Sequence, residues 1–178
     1  DHRDLRALRA TIARTYEQQD QWTDAFQRYN LWLTNFPGSD SRSQAEFYRA
    51  QAAYQAGDLT NALAGFTNFV GRFPTNALTP LAQMWVGNYY FQRGVFVEAE
   101  KSYRWLSQTN WPVSDLTYQA QMMAGRSAFA RQDWDKARGY FTDLYNNTNC
   151  AEDLRIQALL ACGGCYMSQD STNRAADF

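Results

Sequence analysis

Lysine is nearly absent from this 178-residue chain: of 17 basic residues only Lys101 and Lys136 are lysine, a shortage that codon bias accounts for as readily as function. With a net charge of −1, a pI near 5.8 and no basic stripe, nothing suggests a nucleic-acid partner. No run of about 18 apolar residues occurs, so no segment is expected to span a membrane. The single histidine, His2, sits at a terminus, so no Ser/His/Asp or Cys/His arrangement can be built. A glycine loop able to cradle phosphate is also missing. Catalysis is therefore not expected, and neither a metal nor a cofactor is implied. Three cysteines, an odd number, do not make a disulfide framework. The chain starts at Asp1 without a methionine, which points to a processed or trimmed N-terminus, so a missing signal peptide says nothing about compartment.

Also missing are the alternating β-branched runs that mark strands, and proline is scarce. What is present is 45% hydrophobic and 16% aromatic, too apolar for disorder, and rich in Ala, Leu, Gln, Arg and Glu. An all-α chain follows.

The helices repeat. Gly57-Asp58-Leu59-Thr60-Asn61-Ala62-Leu63-Ala64-Gly65-Phe66, closed by Phe73-Pro74, reads as a turn, a short helix and a stop. Counterparts of Ala62 fall at Ala25, Ala99, Ala137 and Ala175, a period of 37 or 38 residues. Four residues after each complete anchor stands an aromatic: Tyr29, Phe66, Tyr103, Phe141. Five before lies a turn-type or polar residue: Asp20, Gly57, Gly94, Gln132, Asp170. Glycine there permits positive φ at a helix end, and Asp58, Asp133 and Ser171 just after can cap the next helix. The anchor alanine lets a neighbouring helix approach while the aromatic fills the groove beside it. Twelve before the anchors come Ala13, Ala50, Gly87, Gly125 and Gly163, all small. A mid-helix glycine costs about 1 kcal/mol against alanine, so close helix packing must offset it.

This pattern predicts helices at about 3–18, 22–35, 43–56, 59–72, 79–92, 95–108, 115–130, 134–147 and 151–168, with a further helix begun before Phe178. Glu98, Glu100, Asp133 and Asp135 read as solvated helix starts.

Paired helices with a small residue and an aromatic, the turn–Ala-x-x-x-aromatic phrase and the closing proline resemble the tetratricopeptide repeat family. The resemblance implies a right-handed α-solenoid of antiparallel helix pairs. Its four complete repeats and part of a fifth lie at about 3–38, 42–75, 79–113, 115–149 and 151–178, in a single domain expected to be a fragment of a longer protein. The junctions Phe36-Pro37-Gly38-Ser39 and Phe73-Pro74-Thr75-Asn76 look like the bacterial envelope branch, the β-barrel assembly lipoprotein and Tol-Pal coordinator type. That implies a scaffold or adaptor in a periplasmic or outer-membrane-associated assembly, with a cytoplasmic setting as the alternative.

In this fold the first helix of each repeat lines the concave face. The expected peptide-binding groove comprises Phe47, Tyr48, Gln51, Tyr54 and Gln55, then Trp85, Asn88, Phe91 and Gln92, then Met122, Met123, Arg126 and Phe129. Ala10, Arg14, Met84, Leu160 and Met167 fall on the same face. Flexible methionines, rigid aromatics and amides suit an extended or helical segment of a protein partner. Some of these side chains must instead pack between repeats. No lysine lies on this face, which argues against reading a terminal carboxylate with a lysine/asparagine clamp.

Cys162-Gly163-Gly164-Cys165 has the spacing of redox and zinc motifs, but it lies late in an expected helix and lacks four ligands. Small buried packing residues are the simpler reading, with a disulfide in an oxidising compartment left open. The other functional readings are a structural spacer or self-assembly arm, and an accessory domain of an enzyme outside this stretch.

Overall fold

The computed structural model describes residues 11, 15–108 and 111–176, the last six as backbone. The expected helix start at residue 3, together with Ala10, Ala13 and Arg14, lies outside the described residues. Among those described, every regular element is a helix. Residues 15–18 are helical, and eight further helices follow: α1 Trp22–Asn35, α2 Arg42–Gln55, α3 Leu59–Arg72, α4 Thr79–Gln92, α5 Phe96–Gln108, α6 Asp115–Ala130, α7 Trp134–Asn146 and α8 Glu152–Ala176. The chain divides into two compact units, residues 1–82 and 83–178. In the first, α2 packs against α1 and α3; in the second, α5 packs on α6, α6 on α7 and α7 on α8.

The turns explain where the helices stop. Asp20, Gly57, Gly94 and Gln132 all have positive φ, at 56°, 80°, 73° and 63°. At each, the next N–H reaches back to the carbonyl five residues earlier: Gln21 to Tyr16, Asp58 to Ala53, Val95 to Tyr90 and Asp133 to Ala128, all at 2.9–3.0 Å. This is the left-handed helix stop that satisfies carbonyls otherwise orphaned at the end. The following helix starts at once, and Asp58 and Asp133 cap it by accepting from the N–H of Asn61 (3.0 Å) and Lys136 (3.4 Å).

The fifth copy breaks this rule. Instead of turning at Asp170, α8 runs unbroken to Ala176, so Ser171 lies inside a helix and not at the start of a new one. The expected end at 168 is thus corrected, and the sequence holds the reason: Thr172 replaces the large apolar residue that starts α1, α3, α5 and α7, so a new helix would have no such side chain to bury at its start.

Packing follows the repeat. Ala25, Ala62, Ala99 and Ala137 are completely buried, and Tyr29, Phe66, Tyr103 and Phe141 nearly so. A third inward residue, seven after each anchor, goes beyond the sequence reading: Trp32, Phe69, Leu106 and Leu144 are all buried. Positions i, i+4 and i+7 make one helix face, and each large side chain so buried stabilises the fold by roughly 1.5–3 kcal/mol.

The small residues opposite set the separation of the helices. A Cβ added at Gly87 would lie 2.5 Å from Tyr103 Cε1, and one at Gly125 would lie 2.4 Å from Phe141 Cε1. In the first unit Gly65 accepts Ala50 in the same way, with 2.7 Å between the two Cβ positions. Gln83 and Gln121, at one repeat position, donate from Nε2 to the carbonyls of Ser102 (3.2 Å) and Tyr140 (3.3 Å), adding a polar tie in the second unit. The helix starts are tied to the preceding junctions by Arg42 to Pro37 O (2.7 Å), Thr79 to Phe73 O and Arg155 to Tyr145 O (2.9 Å).

Candidate functional site

In the first unit the five expected groove residues on α2 separate into two kinds. Phe47 is buried, edge-on to Phe66 and Phe69 at 5.5 and 5.6 Å, so it is core and leaves the surface. Tyr48 is half-buried and stacks on Tyr29 at 6.4 Å. Gln51 is half-buried, whereas Tyr54 and Gln55 are exposed.

In the second unit the residues of α4 and α6 recur at matching repeat positions: Trp85 with Met123, Asn88 with Arg126, Phe91 with Phe129. Met122, buried against the α7 aromatics, belongs to the core. Phe91 and Phe129 are half-buried and edge-on to Phe96 (5.4 Å) and Trp134 (5.0 Å), where they seal each helix against its successor. Trp85, Asn88 and Met123 are half-buried, whereas Gln92 and Arg126 are exposed. Met84 and Met123 both pack against the cluster around Tyr103, Ala120 and Ala124. Arg126 rests beside Met123, with Nη1 3.9 Å from Sδ.

Two local features position these groups. Tyr103 donates its hydroxyl to Asn88 Oδ1 at 2.7 Å, which commits the amide oxygen and leaves the NH₂ group to donate. Burial of Tyr103 pushes its pKa up, so the hydroxyl stays a donor at any physiological pH. On α4, Trp85 stacks on Tyr89 at 5.5 Å, and the Arg93 guanidinium lies over the Tyr89 ring at 4.7 Å. Sequence reading named Trp85 and passed over Tyr89 and Arg93. Their four-residue spacing was the signal that could have found them.

The buried charges were missed as well. Glu100 is buried, paired with Arg131 and accepting from the Tyr140 hydroxyl at 3.0 Å, and is no solvated helix start. Two carboxylate oxygens satisfied from two other helices and their ends offset the cost of taking the charge out of water. Asp135 is exposed and Glu98 is half-exposed, as expected of helix starts. In the first unit Glu46 is buried between Arg42 (2.8 Å) and Arg72 (2.6 Å). Burial lowers the pKa of nearby Arg49; Glu46 opposes that shift, while Arg42 and Arg72 add to it.

Cys150, Cys162 and Cys165 are all free thiols. Cys165 is in the core of the second unit, and burial followed by its neighbour Cys162 pushes its pKa up, the opposite of an activated thiol. Among the described residues no group of His, Cys, Asp and Glu could hold a metal ion, and no helix is long and apolar enough to cross a membrane.

The family description Tetratricopeptide repeat matches residues 47–112 and 87–153, more than half of the chain. The chain belongs to the tetratricopeptide repeat family. Among solved structures it is similar to the nearly identical TPR-like repeats of a putative kinesin light chain from Podosopora anserina. The two share 14% identity at a TM-score of 0.65, over 96% of this chain and 90% of that one. It is also similar to BtubC (BKLC) from P. vanneervenii, at 13% identity and a TM-score of 0.58, over 95% and 74% of the two chains. At such identities the likeness concerns the fold. No curated protein matches. Tetratricopeptide repeats are in general protein–protein interaction modules and are typically non-catalytic.

Proposed function

We propose that this chain is a non-catalytic scaffold that binds a segment of a partner protein on the first helices of its repeats. Trp85, Asn88, Gln92, Met123 and Arg126 carry the recognition in the second unit, and Tyr48, Gln51, Tyr54 and Gln55 in the first. The supporting observation is the division of labour on α4 and α6. Residues that hold the fold (Val86, Gly87, Ala124, Gly125) are buried, while an aromatic, an amide, a thioether and a guanidinium at matching repeat positions keep surface. An oriented NH₂ on Asn88 and a guanidinium on Arg126 suit the carbonyls and carboxylates of a peptide. Trp85 and Met123 give it apolar contact. The setting we assign is a bacterial envelope assembly, periplasmic or outer-membrane-associated. The support for that assignment is the Phe-Pro-Gly-Ser and Phe-Pro-Thr-Asn junction sequence.

Affinity capture from an extract of the source organism, with the wild type and a Trp85→Ala/Arg126→Ala variant side by side, tests the surface. The expected result is a partner recovered by the wild type and lost from the variant, whose helical circular dichroism is unchanged. Equal recovery by both proteins would sink the assignment of this face.

A further inference from the structure

Three guanidiniums meet one carboxylate in the first unit. Glu46 Oε1 accepts from Arg42 Nε at 2.8 Å and from Arg72 Nη1 at 2.6 Å, so a single oxygen holds two cations, one from α2 and one from the last turn of α3. The third, Arg49, stands a turn beyond Glu46 on α2, and the charges that act on it are those of Glu46, Arg42 and Arg72. Among the described residues Arg49 has no carboxylate of its own, and it donates to Asn30 Oδ1 on α1 at a long 3.4 Å. Three cations against one anion leave two positive charges in excess, within a chain whose net charge is −1. Guanidiniums held this close repel one another, and half-burial raises the cost.

The helix packing does not require this concentration of charge. Gln83 and Gln121 hold the repeat position of Glu46 and make a neutral tie to a neighbouring carbonyl, for which a carboxylate has no proton to give. Arg49 is matched by Val86 and Ala124, both buried apolar residues, and Arg72 by Thr109 and Asn147. Arg42 does serve the fold, through its bond to Pro37 O, a junction role that Thr79 and Arg155 share. Arg49 and Arg72 have no counterpart of that kind. Residues 42, 46 and 49 follow the i, i+4, i+7 spacing of one helix face. At about 100° per residue that face is opposite the one carrying Tyr48, Gln51 and Gln55.

We infer that Arg42, Arg49 and Arg72 form an anion site for a phosphoryl dianion, on the side of α2 turned away from the proposed recognition surface. A phosphate monoester carries a charge of about −1.5 to −2 at neutral pH, which matches the excess of two, and its three terminal oxygens accept from guanidinium forks. A single carboxylate would cancel only half of that excess. The cations are set before a ligand arrives: Glu46 holds Arg42 and Arg72 together, and the Arg72 guanidinium lies over the Phe73 ring at 5.5 Å. Side chains already fixed in this way lose little freedom on binding. Arg72, half-exposed, gives the ligand its way in. A phosphorylated side chain of another protein and a small phosphate ester both supply this group.

The arginine Nε–Hε signals of the 178-residue chain, followed by NMR, report on the site directly. Inorganic phosphate, titrated against chloride at equal ionic strength, should shift the signals of Arg42, Arg49 and Arg72 saturably. Arg49→Gln and Arg72→Gln should each weaken binding at least about tenfold, the scale of a lost charge-assisted hydrogen bond, with helical circular dichroism unchanged. Should Arg49→Gln fail to fold, Arg72→Gln at the half-exposed position decides alone. Arg93→Gln, at an exposed arginine outside the cluster, should leave the affinity as it is. Acetate should bind at least about tenfold more weakly than phosphate, having half the charge to offer; equal affinity would overturn the proposal by making the site a reader of carboxylates. Shifts that chloride reproduces, or an affinity that neither Arg49→Gln nor Arg72→Gln lowers, would overturn it as well. A Gly-phosphoserine-Gly peptide blocked at both ends then separates the sources. Tighter binding than inorganic phosphate assigns the site to a phosphorylated partner, and equal or weaker binding assigns it to a small phosphate compound.

Discussion

Gly125 and Gly163 occupy the same repeat position, yet adding a methyl group to each should move stability in opposite directions. At Gly125 the new Cβ would sit 2.4, 2.8 and 2.9 Å from three carbons of the Phe141 ring. That ring is buried and cannot swing aside as the end of a flexible side chain would. Overpacking of this kind costs about 1–3 kcal/mol, whereas the better helix propensity of alanine returns only about 1 kcal/mol. Gly125→Ala should therefore destabilise the protein by up to about 2 kcal/mol. At Gly163 only the propensity gain applies, and Gly163→Ala should stabilise by up to about 1 kcal/mol. For a chain of this size each kcal/mol corresponds to roughly 2–4 °C in Tm. Thermal melts followed by helical circular dichroism should place the two variants on opposite sides of the wild type. Trimming the ring in Gly125→Ala/Phe141→Leu should be less damaging than the sum of the two single changes, because the clash is removed. If Gly125→Ala were as stable as Gly163→Ala, the reading of the glycine as a seat for the ring would be wrong.

Gln132 holds a φ of 63° without the freedom of glycine, so Gln132→Gly should raise stability by about 0.5–1 kcal/mol in urea unfolding. Gly57→Ala, at φ 80°, should lower it. Glu100→Ala removes the nearer of the two carboxylates beside Arg131, leaving it Asp133 at 3.7 Å, takes the acceptor from the Tyr140 hydroxyl, and should cost about 2–3 kcal/mol; Glu98→Ala, half-exposed, should change the same melt by less than about 0.5 kcal/mol. The pKa of Asp133 is lowered: slight burial pushes it up, but the hydrogen bonds and charge of Lys136 and the charge of Arg131 outweigh that. A depressed carboxylate contributes stability above its unfolded pKa and loses it as pH falls through the folded value. Asp133→Ala should consequently flatten the fall of Tm on acidification below about pH 4, and an unchanged slope would refute the assignment. Among the thiols, Cys150 and Cys165 are buried with raised pKa values, so Cys162 should react first with a disulfide reagent; equal rates would contradict the packing around Cys165.

Helix boundaries were legible because the stop signals are local. A residue able to take positive φ, an aspartate and then an apolar residue define a turn without knowledge of anything distant, and they do so at residues 57–59 and 132–134. The end of α8 differs because the turn and cap residues recur at Asp170 and Ser171 while the apolar residue that should follow is Thr172. Buried charges were illegible because their partners are far along the chain. Glu46 and Arg72 are 26 residues apart and Glu100 and Arg131 are 31, and no local pattern announces either pair. The candidate surface was half legible. The repeat period relates the candidate residues of one repeat to those of the next, but a first helix is covered on more than one side, and only contacts could show that Phe47 and Met122 face inward while Gln55 and Arg126 do not.

The hydrogen bond from Tyr103 to Asn88 binds the proposed recognition surface to the interior of the second unit. Phe141, the counterpart of Tyr103, faces a repeat whose matching residue is Arg126 and has no hydroxyl to place. Evolution can therefore change residue 126 without consulting the core. Changing Asn88 would leave a buried phenol without its acceptor, at a cost of about 1–3 kcal/mol, unless Tyr103 became phenylalanine in the same step. Specificity on this face should accordingly drift fastest at residues 85, 92 and 126, with 88 and 103 moving only as a pair. A designer seeking a new ligand for the face has the same freedom and the same restriction.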